Sequence, residues 1–376
     1  MGYIKLHKNE VCKFARYNDI DRAKYAIDFI SKNTFDIAVY LVVNLKTDQF
    51  VSCDIYDEQT EFFSEEELGE LINALEDLNI YHEVSYGEKD FARKVMSGQI
   101  QLQKFKYKIV YNTTGGIGKR SKSAIVPAIC ELHGLNYASS DIFSSALLEH
   151  KAESFSLLSN RFNIPRFWIY DNINGWINDK PIKELKLIAK PAYGCASLGI
   201  TEKNISYFTD DFEKMISYLS QKLAQPIIVQ EFIQGWEVEV PVFDLGYPTI
   251  LEPVGVQINQ KDYFKDEILT YELVSEDQYS FYKFSLKKPN KANELKNIAR
   301  RSFIFLSLRG TVRVDFRITK NGKCYITDYN NSPHLTQFHS CAKSAQFAGF
   351  SYADMISLCL YKGIYQFDSS NFSPNL

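Results

Sequence analysis

An α/β fold is what this sequence predicts, and three observations predict it. Short apolar runs of strand length alternate with helix-length amphipathic segments along the chain. The longest apolar run, Ile37 to Val43, has the length of one buried strand and falls well short of the ~18 residues that a membrane span needs. The seven cysteines, at 12, 53, 130, 195, 324, 341 and 359, are odd in number and make no Cys-x-x-Cys pair. Neither a disulfide framework nor a zinc ribbon therefore supplies the architecture. With 376 residues the chain has room for two or three domains, each with a core of its own.

The elements follow in order. Residues 37–43 read as a buried strand. Residues 64–78 read as a helix, with Ser64 as N-cap, Glu67 completing a capping box and Leu68, Leu71, Ile72 and Leu75 on one stripe. A strand at 107–111 ends at the Thr-Thr-Gly-Gly break. Helices are expected over 123–133, stopped by Gly134, and over 143–160, stopped before Asn163-Ile164-Pro165. Beyond a boundary near 142–150 come strands at 185–190 and 227–233, a helix at 292–307, two strands flanking Asn321-Gly322 and a closing helix at 352–362. The last ten residues, rich in Ser, Asn and Pro, read as a tail.

Composition excludes several functions. Forty-three basic residues against 46 acidic give a net charge of −3, without the basic excess of a general nucleic-acid binder. Aromatics at 14% exclude a disordered chain. The N-terminus has no apolar signal region, and Leu6 stands where a myristoylation site wants Ser or Thr. A reducing cytoplasm is the simplest setting for such a chain.

The hairpin at 311–331 carries the strongest chemical signal. A two-residue Asn321-Gly322 turn would pair Lys320 with Lys323, set Asp315 opposite Asp328 and Arg313 opposite Asn330, and put all four on one face. Val312, Val314, Phe316 and Ile318 would then face Asn331, Tyr329, Thr327 and Tyr325 on the core side. Facing carboxylates lie ~5 Å apart at Cβ and repel. A divalent cation would offset that, with Asn330 as a neutral ligand and Arg313 beside it for a phosphate or oxyanion. The alternative is a solvated face whose acids are balanced by Arg313, Arg317 and Lys323.

Two weaker signals accompany it. Lys190 ends a strand and precedes the small-residue loop 191–199, where backbone N–H groups could approach phosphate oxygens. Common turns look the same. The segment 227–240 offers a strand edge at Gln230–Ile233 and then Glu237, a wall for a base and a ribose or simply a strand and turn. The stretch 115–123 (GGIGKRSKS) lacks the first Gly of a phosphate loop and the Ser/Thr after Gly118-Lys119, lacks the third Gly of a dinucleotide fingerprint, and reads as a plain strand-to-helix turn.

The order of these pieces over about 107–362 resembles the ATP-grasp superfamily, and within it the D-alanine–D-alanine ligase family. The pieces are a Lys in ALLEHK, a strand-Lys-Pro-small loop, a strand-Glu-turn-Glu, an Arg-x-Asp strand and Asp-x-Asn-x-x-Pro. The resemblance implies an N-terminal pre-ATP-grasp-like α/β domain (1–142), then an ATP-grasp fold that is α+β in its last part. Its central lobe with a phosphate lid would be 143–228, its C-terminal lobe with the metal and substrate site 229–366, and its tail 367–376. It implies ATP and two Mg²⁺ ions as cofactors, with Mn²⁺ as a substitute. Lys151, Lys190, Ala196 and Ser197 would meet the phosphates. Gln230, Glu231 and Ile233 would line the adenine, and Glu237 would hold the ribose. Asp315, Asp328 and Asn330 would bind metal, with Arg313 and Lys190 catalytic.

Departures from the family pattern lie on the substrate side. Asp328 replaces a usual Glu, His334 replaces a Gly, and the family's substrate-binding Ser falls near His339. The glycine-rich Ser-x-Glu-His element of the N-terminus is missing. His334, His339 and Ser340 are the candidates for the substrate pocket, the alternative for the two histidines being packed or exposed loop residues, and Lys261 and Lys265 are candidates for the lysine of a flexible loop. The implied activity is an ATP-dependent carboxylate–amine ligase acting through an acyl-phosphate on amino acids or a peptide, D-alanine–D-alanine ligation among them. The alternative is a non-catalytic ATP-binding module. Partners would be small molecules, not nucleic acid or membrane, with a homodimer compatible with the family.

Overall fold

The computed structural model describes residues 16–47, 56, 59, 62–100, 104–114, 120–177, 179–194, 197, 199–276 and 278–370. Strand Ile37–Val43 is buried along its whole length, as an unbroken apolar run covered on both faces should be. It runs between Tyr81–Tyr86 and Tyr107–Asn112, and Asn136–Tyr137 completes a four-stranded parallel sheet. Helix Glu65–Asp77 opens in the expected capping box. Ser64 Oγ accepts from the Glu67 N–H at 3.1 Å, and Glu67 Oε2 accepts from the Ser64 N–H at 2.6 Å. Lys122–Ala124 forms a 3₁₀ turn ahead of helix Ile125–Leu132, and Gly134 stops it at φ +65°.

Two antiparallel sheets follow. Phe167–Asp171, Ile227–Glu231 and Lys186–Pro191 are the middle of a five-stranded sheet. Helix Asp210–Leu223 covers it, packing Phe212, Ile216 and Leu219 on Leu187, Ala189 and Val229. The second sheet has seven strands and is built around Gly235–Asp244, which lies between Val312–Ile318 and Val254–Gln257. Helix Pro289–Phe305 lies behind it, with Leu295, Ala299 and Phe303 against Val238, Val240 and Phe316. The last helix, Tyr352–Ser370, outruns the expected 352–362 and takes in part of the expected tail. Its Met355, Leu358 and Cys359 return to the first sheet and share a core with Val39, Leu41 and Ile109. Among the described residues no helix is long and apolar enough to cross a membrane.

Several expectations need correction. The single helix at 143–160 is two, Ile142–Glu149 and Lys151–Leu158, broken at His150, whose backbone is non-helical (φ −100°, ψ 85°). The strand expected at 227–233 ends at Glu231. The hairpin loop has three residues, not two. The Gly322 N–H donates to the Thr319 carbonyl at 2.8 Å, Thr319 pairs with Lys323, and Gly322 takes φ +81°. Pairing near the turn is therefore one residue off the expectation: Ile318 faces Cys324, and Phe316 faces Ile326. A bulge between Asp315 and Phe316 then absorbs the slip, with Thr327 as the extra residue. Beyond it Asp315 faces Asp328 and Arg313 faces Asn330, as the two-residue turn had also required.

Candidate active site

One cavity of about 550 Å³ lies where the three sheets meet. Lys151, Lys190, Gln230, Glu237, Arg313, Asp315, Asp328, Asn330, His334 and His339 all line it. So do Glu231, Ile233 and Ser197. Ser340 is buried behind the wall, at the start of helix Ser340–Phe347. Ala196, together with Cys195, lies outside the described residues, as does 115–119 of the GGIGKRSKS stretch. Lys261 and Lys265 are exposed and do not line the cavity; Lys261 is paired with Glu267 at 3.1 Å.

The break at His150 makes Lys151 the first residue of a helix, 7% exposed. Its backbone N–H donates to the Ala192 carbonyl at 3.2 Å, which ties this helix start to the small-residue loop. Its ammonium donates to both Asp328 oxygens, at 2.8 and 2.9 Å. Burial pushes the Asp328 pKa up, but Lys151 and Lys190 outweigh it and hold the carboxyl below its ordinary value. Lys190, at the inner end of strand Lys186–Pro191, has its pKa lowered by burial, with only partial relief from Asp328. An anion arriving between the two lysines would restore what burial costs them.

On the other side, Arg313 Nε and Nη2 donate to the two oxygens of Asp315 at 2.7 and 2.8 Å. Burial leads in raising the Asp315 pKa, and Asp328 and Glu237 add to it, against Arg313. Glu239 is the strand partner of Asp315 on the opposite edge, so three carboxylates stand in line across three strands. Burial lifts the Glu239 pKa to about 7 despite Arg313, whose Nη1 is 3.3 Å away. The position expected to meet a ribose, Glu237, is paired with Arg317 at 2.5 Å, and Glu231 with Arg166 at 3.0 Å. Gln230 is 1% exposed, and its amide nitrogen has no partner among the described residues. A buried donor left open in a cavity wall favours a ligand acceptor there. Ser197 takes φ +53° and donates its hydroxyl to the Leu269 carbonyl at 2.9 Å, which fastens the loop to the segment between strand Tyr263–Phe264 and helix Tyr271–Ser275.

The far end is made by the loop after Asn330 and by the start of helix Glu65–Asp77. His334 Nε2 lies 3.0 Å from Glu67 Oε1, its ring stacks on Phe63 at 4.4 Å, and His339 is 4.7 Å beyond. His334, with Lys46 behind it, overcomes burial and draws the Glu67 pKa down to about 2. Burial, helped by His334, holds the His339 pKa well below its ordinary value. Glu67 and Glu239 escaped the sequence reading as site residues. Glu67 was legible only as a capping residue, and one carboxylate oxygen does serve that purpose. Glu239 had a signal, since it falls two residues after Glu237 on the same strand face.

No group of three or more His, Cys, Asp or Glu side chains among the described residues forms a ready metal cage. Two carboxylates and an amide oxygen remain, a donor set that suits Mg²⁺ carried in by phosphates, since Mg²⁺ commonly takes one or two carboxylates and completes its shell with water and phosphate.

Comparison with known proteins fits this geometry. Residues 179–360 match the family model of the D-ala D-ala ligase C-terminus. A D-alanine–D-alanine ligase of Pseudothermotoga lettingae is 26% identical over 267 residues, 69% of this chain and 82% of that protein. The structure of a D-alanine–D-alanine ligase from Bacillus anthracis complexed with ATP superposes with a TM-score of 0.64 at 16% identity, covering 89% of this chain and 99% of the other. The VanG D-Ala:D-Ser ligase of Enterococcus faecalis gives 0.61 at 15% identity, over 87% and 99%.

Proposed function

We propose, from the likeness of this chain to the D-alanine–D-alanine ligase family and from its ATP-grasp fold, that its cavity works as an ATP-dependent carboxylate–amine ligase. The observation that carries the proposal is one cavity with Lys151 and Lys190 on one wall and Arg313, Asp315, Asp328 and Asn330 on the other. The adenine lies against Gln230, Glu231 and Ile233, where the open amide of Gln230 can donate to a ring nitrogen. Glu237 takes the ribose hydroxyls. Lys151 and Lys190 contact the phosphates beneath the loop that carries Ala196 and Ser197.

Two Mg²⁺ ions, or Mn²⁺, would be held by Asp315, Asp328 and Asn330, and would neutralise the charge that builds on the transferred phosphoryl group. The donor carboxylate attacks the γ-phosphorus, the bond to the β-phosphate oxygen breaks, and ADP leaves. The amine nitrogen then attacks the acyl carbon of the acyl-phosphate. Arg313 faces the oxyanion of the tetrahedral intermediate. Inorganic phosphate leaves with the acyl–oxygen bond pair, the nitrogen loses its proton, and an amide remains. His334 and His339 belong to the substrate wall, with Ser340 buried behind it. The substrates are small amino acids or a peptide, with D-alanine among the donors to be tried, and the setting is the cytoplasm.

The test is ADP and phosphate release from ATP and Mg²⁺ with a panel of D- and L-amino acids and dipeptides. Amino-acid-dependent release of both supports the ligase. Tight ATP binding with no dependence on any member would favour a nucleotide-binding module instead.

A further inference from the structure

The end of the cavity away from Lys151 and Lys190 holds a carboxylate that the reaction above does not use. Glu239 is 3% exposed and stands beside Asp315 on strand Gly235–Asp244. Arg313 reaches it with Nη1 at 3.3 Å while holding Asp315 with its other two nitrogens. Ser340, the first residue of helix Ser340–Phe347, places its hydroxyl near enough to the same carboxylate to favour its charged form. An arginine, a serine hydroxyl and the opening residue of a helix are the donors with which a protein holds a ligand carboxylate. Here a side chain of the chain itself occupies that place.

Other polar side chains at this end are engaged too. Lys46 is 3.6 Å from Glu67, and His334 is 3.0 Å from the other oxygen of the same residue. His339 has its Nδ1 2.5 Å from the Thr336 hydroxyl, and burial holds its pKa well below the ordinary value. Glu66 and Glu70 add further negative charge to the wall. A second carboxylate entering here would lose its water and meet acids.

We propose, building on the ligase reading, that the amine substrate carries no free carboxylate: it is an amine whose neighbouring carboxyl is absent or already amidated. Glu239 is then a specificity-determining residue, keeping Arg313 and Ser340 from the carboxylate of an ordinary amino acid.

Matched acceptors test this. Hydroxylamine comes first, because its nitrogen attacks the acyl-phosphate, expels inorganic phosphate and leaves a hydroxamate without needing a shaped acceptor site. It identifies a donor from a panel of amino acids. With that donor, ATP and Mg²⁺, glycinamide is compared with glycine and D-alaninamide with D-alanine. The amides should show at least a tenfold higher kcat/KM in acceptor-dependent ADP release. Glu239→Gln should cut that ratio at least tenfold by freeing Arg313 for the carboxylate. Equal use of both, or preference for the free acids by the unaltered protein, overturns the inference while the hydroxamate still upholds the ligase. Hydroxamate from no donor removes the ligase reading, and the inference with it.

Discussion

Asp315 and Asp328 face each other across a hairpin, yet each has its own cation: Arg313 at 2.7 and 2.8 Å, Lys151 at 2.8 and 2.9 Å. The pair is therefore stable without metal, and its chemistry depends on charge rather than on packing. Asp315→Asn should keep the fold and its melting temperature within a few degrees. It should lower substrate-dependent ADP release by about 10²–10³-fold, as loss of one preorganised electrostatic group does. Near-normal turnover in that variant would remove Asp315 from the metal role. Glu67 gives a pH prediction. Its pKa of about 2 lies below the ordinary 4.5, so the stability it contributes is full above about 4.5 and disappears as pH falls through the folded value. Glu67→Gln should cost about 1.5–3 kcal/mol at neutral pH, the range for a hydrogen bond to a charged group. The difference from the unaltered protein should shrink steadily from pH 5 to pH 2 in urea titrations. A gap that stays constant over that range would mean the carboxylate is not what His334 and Ser64 hold.

At the scale of elements, what could be read in the sequence was whatever one local pattern determines. The capping box at Ser64 and the buried strand at 37–43 both come from short-range pattern. The hairpin shows how far that goes. Its turn is one residue longer than Asn-Gly suggests, and only a bulge, which no local signal announces, restores the facing. The helix break at His150 was hidden because the apolar spacing of 143–160 continues through it, although the break is what turns Lys151 inward. Gly235–Asp244 was hidden by Pro241, which normally argues against a central strand. Its outer edge is paired only at 235–236, 238–239 and 243–244, and Pro241 falls in the gap. The start of that strand supplies a paired test. A Cβ on Gly235 would lie 2.3 Å from the Ile318 carbonyl oxygen, so Gly235→Ala must push the two strands apart and should cost about 1–3 kcal/mol. Turnover should fall as well, since Val312–Ile318 carries Arg313 and Asp315. Gly69→Ala, in helix Glu65–Asp77 with nothing within 4 Å, should instead gain about 0.5–1 kcal/mol. Thermal unfolding of the two variants side by side separates a steric cause from a general dislike of alanine at glycine positions.

The whole molecule is joined by contacts that no local pattern could foretell. Both Asp19 oxygens accept from Arg300 Nη2, 281 residues away, at 2.7 Å each. Arg22 adds a bond of 2.6 Å and Lys296 lies at 3.4 Å. This cluster fastens helix Asp19–Lys32 to helix Pro289–Phe305, while helix Tyr352–Ser370 packs on the first sheet from the other end of the chain. The first sheet therefore draws part of its core from the last helix, and the layers should unfold together. Asp19→Ala would leave three cations around a vacated, mostly buried place and should cost about 3–5 kcal/mol. Calorimetry should show one transition moved to lower temperature; a separate early transition would mean the first layer is thermodynamically independent. The cavity adds a ligand to the same argument, because Lys46 and Glu67 come from the first layer, Lys190 and Gln230 from the second, and Asp315 and Asp328 from the third. A nucleotide that bridges these walls binds only the assembled protein. At one hundred times its dissociation constant it should add about 2.7 kcal/mol to the single transition. Adding Mg²⁺ should raise the melting temperature further than ATP alone, and Asp315→Asn should lose only that metal-dependent increment. If the variant instead loses the whole nucleotide shift, Asp315 holds the nucleotide site together rather than the metal.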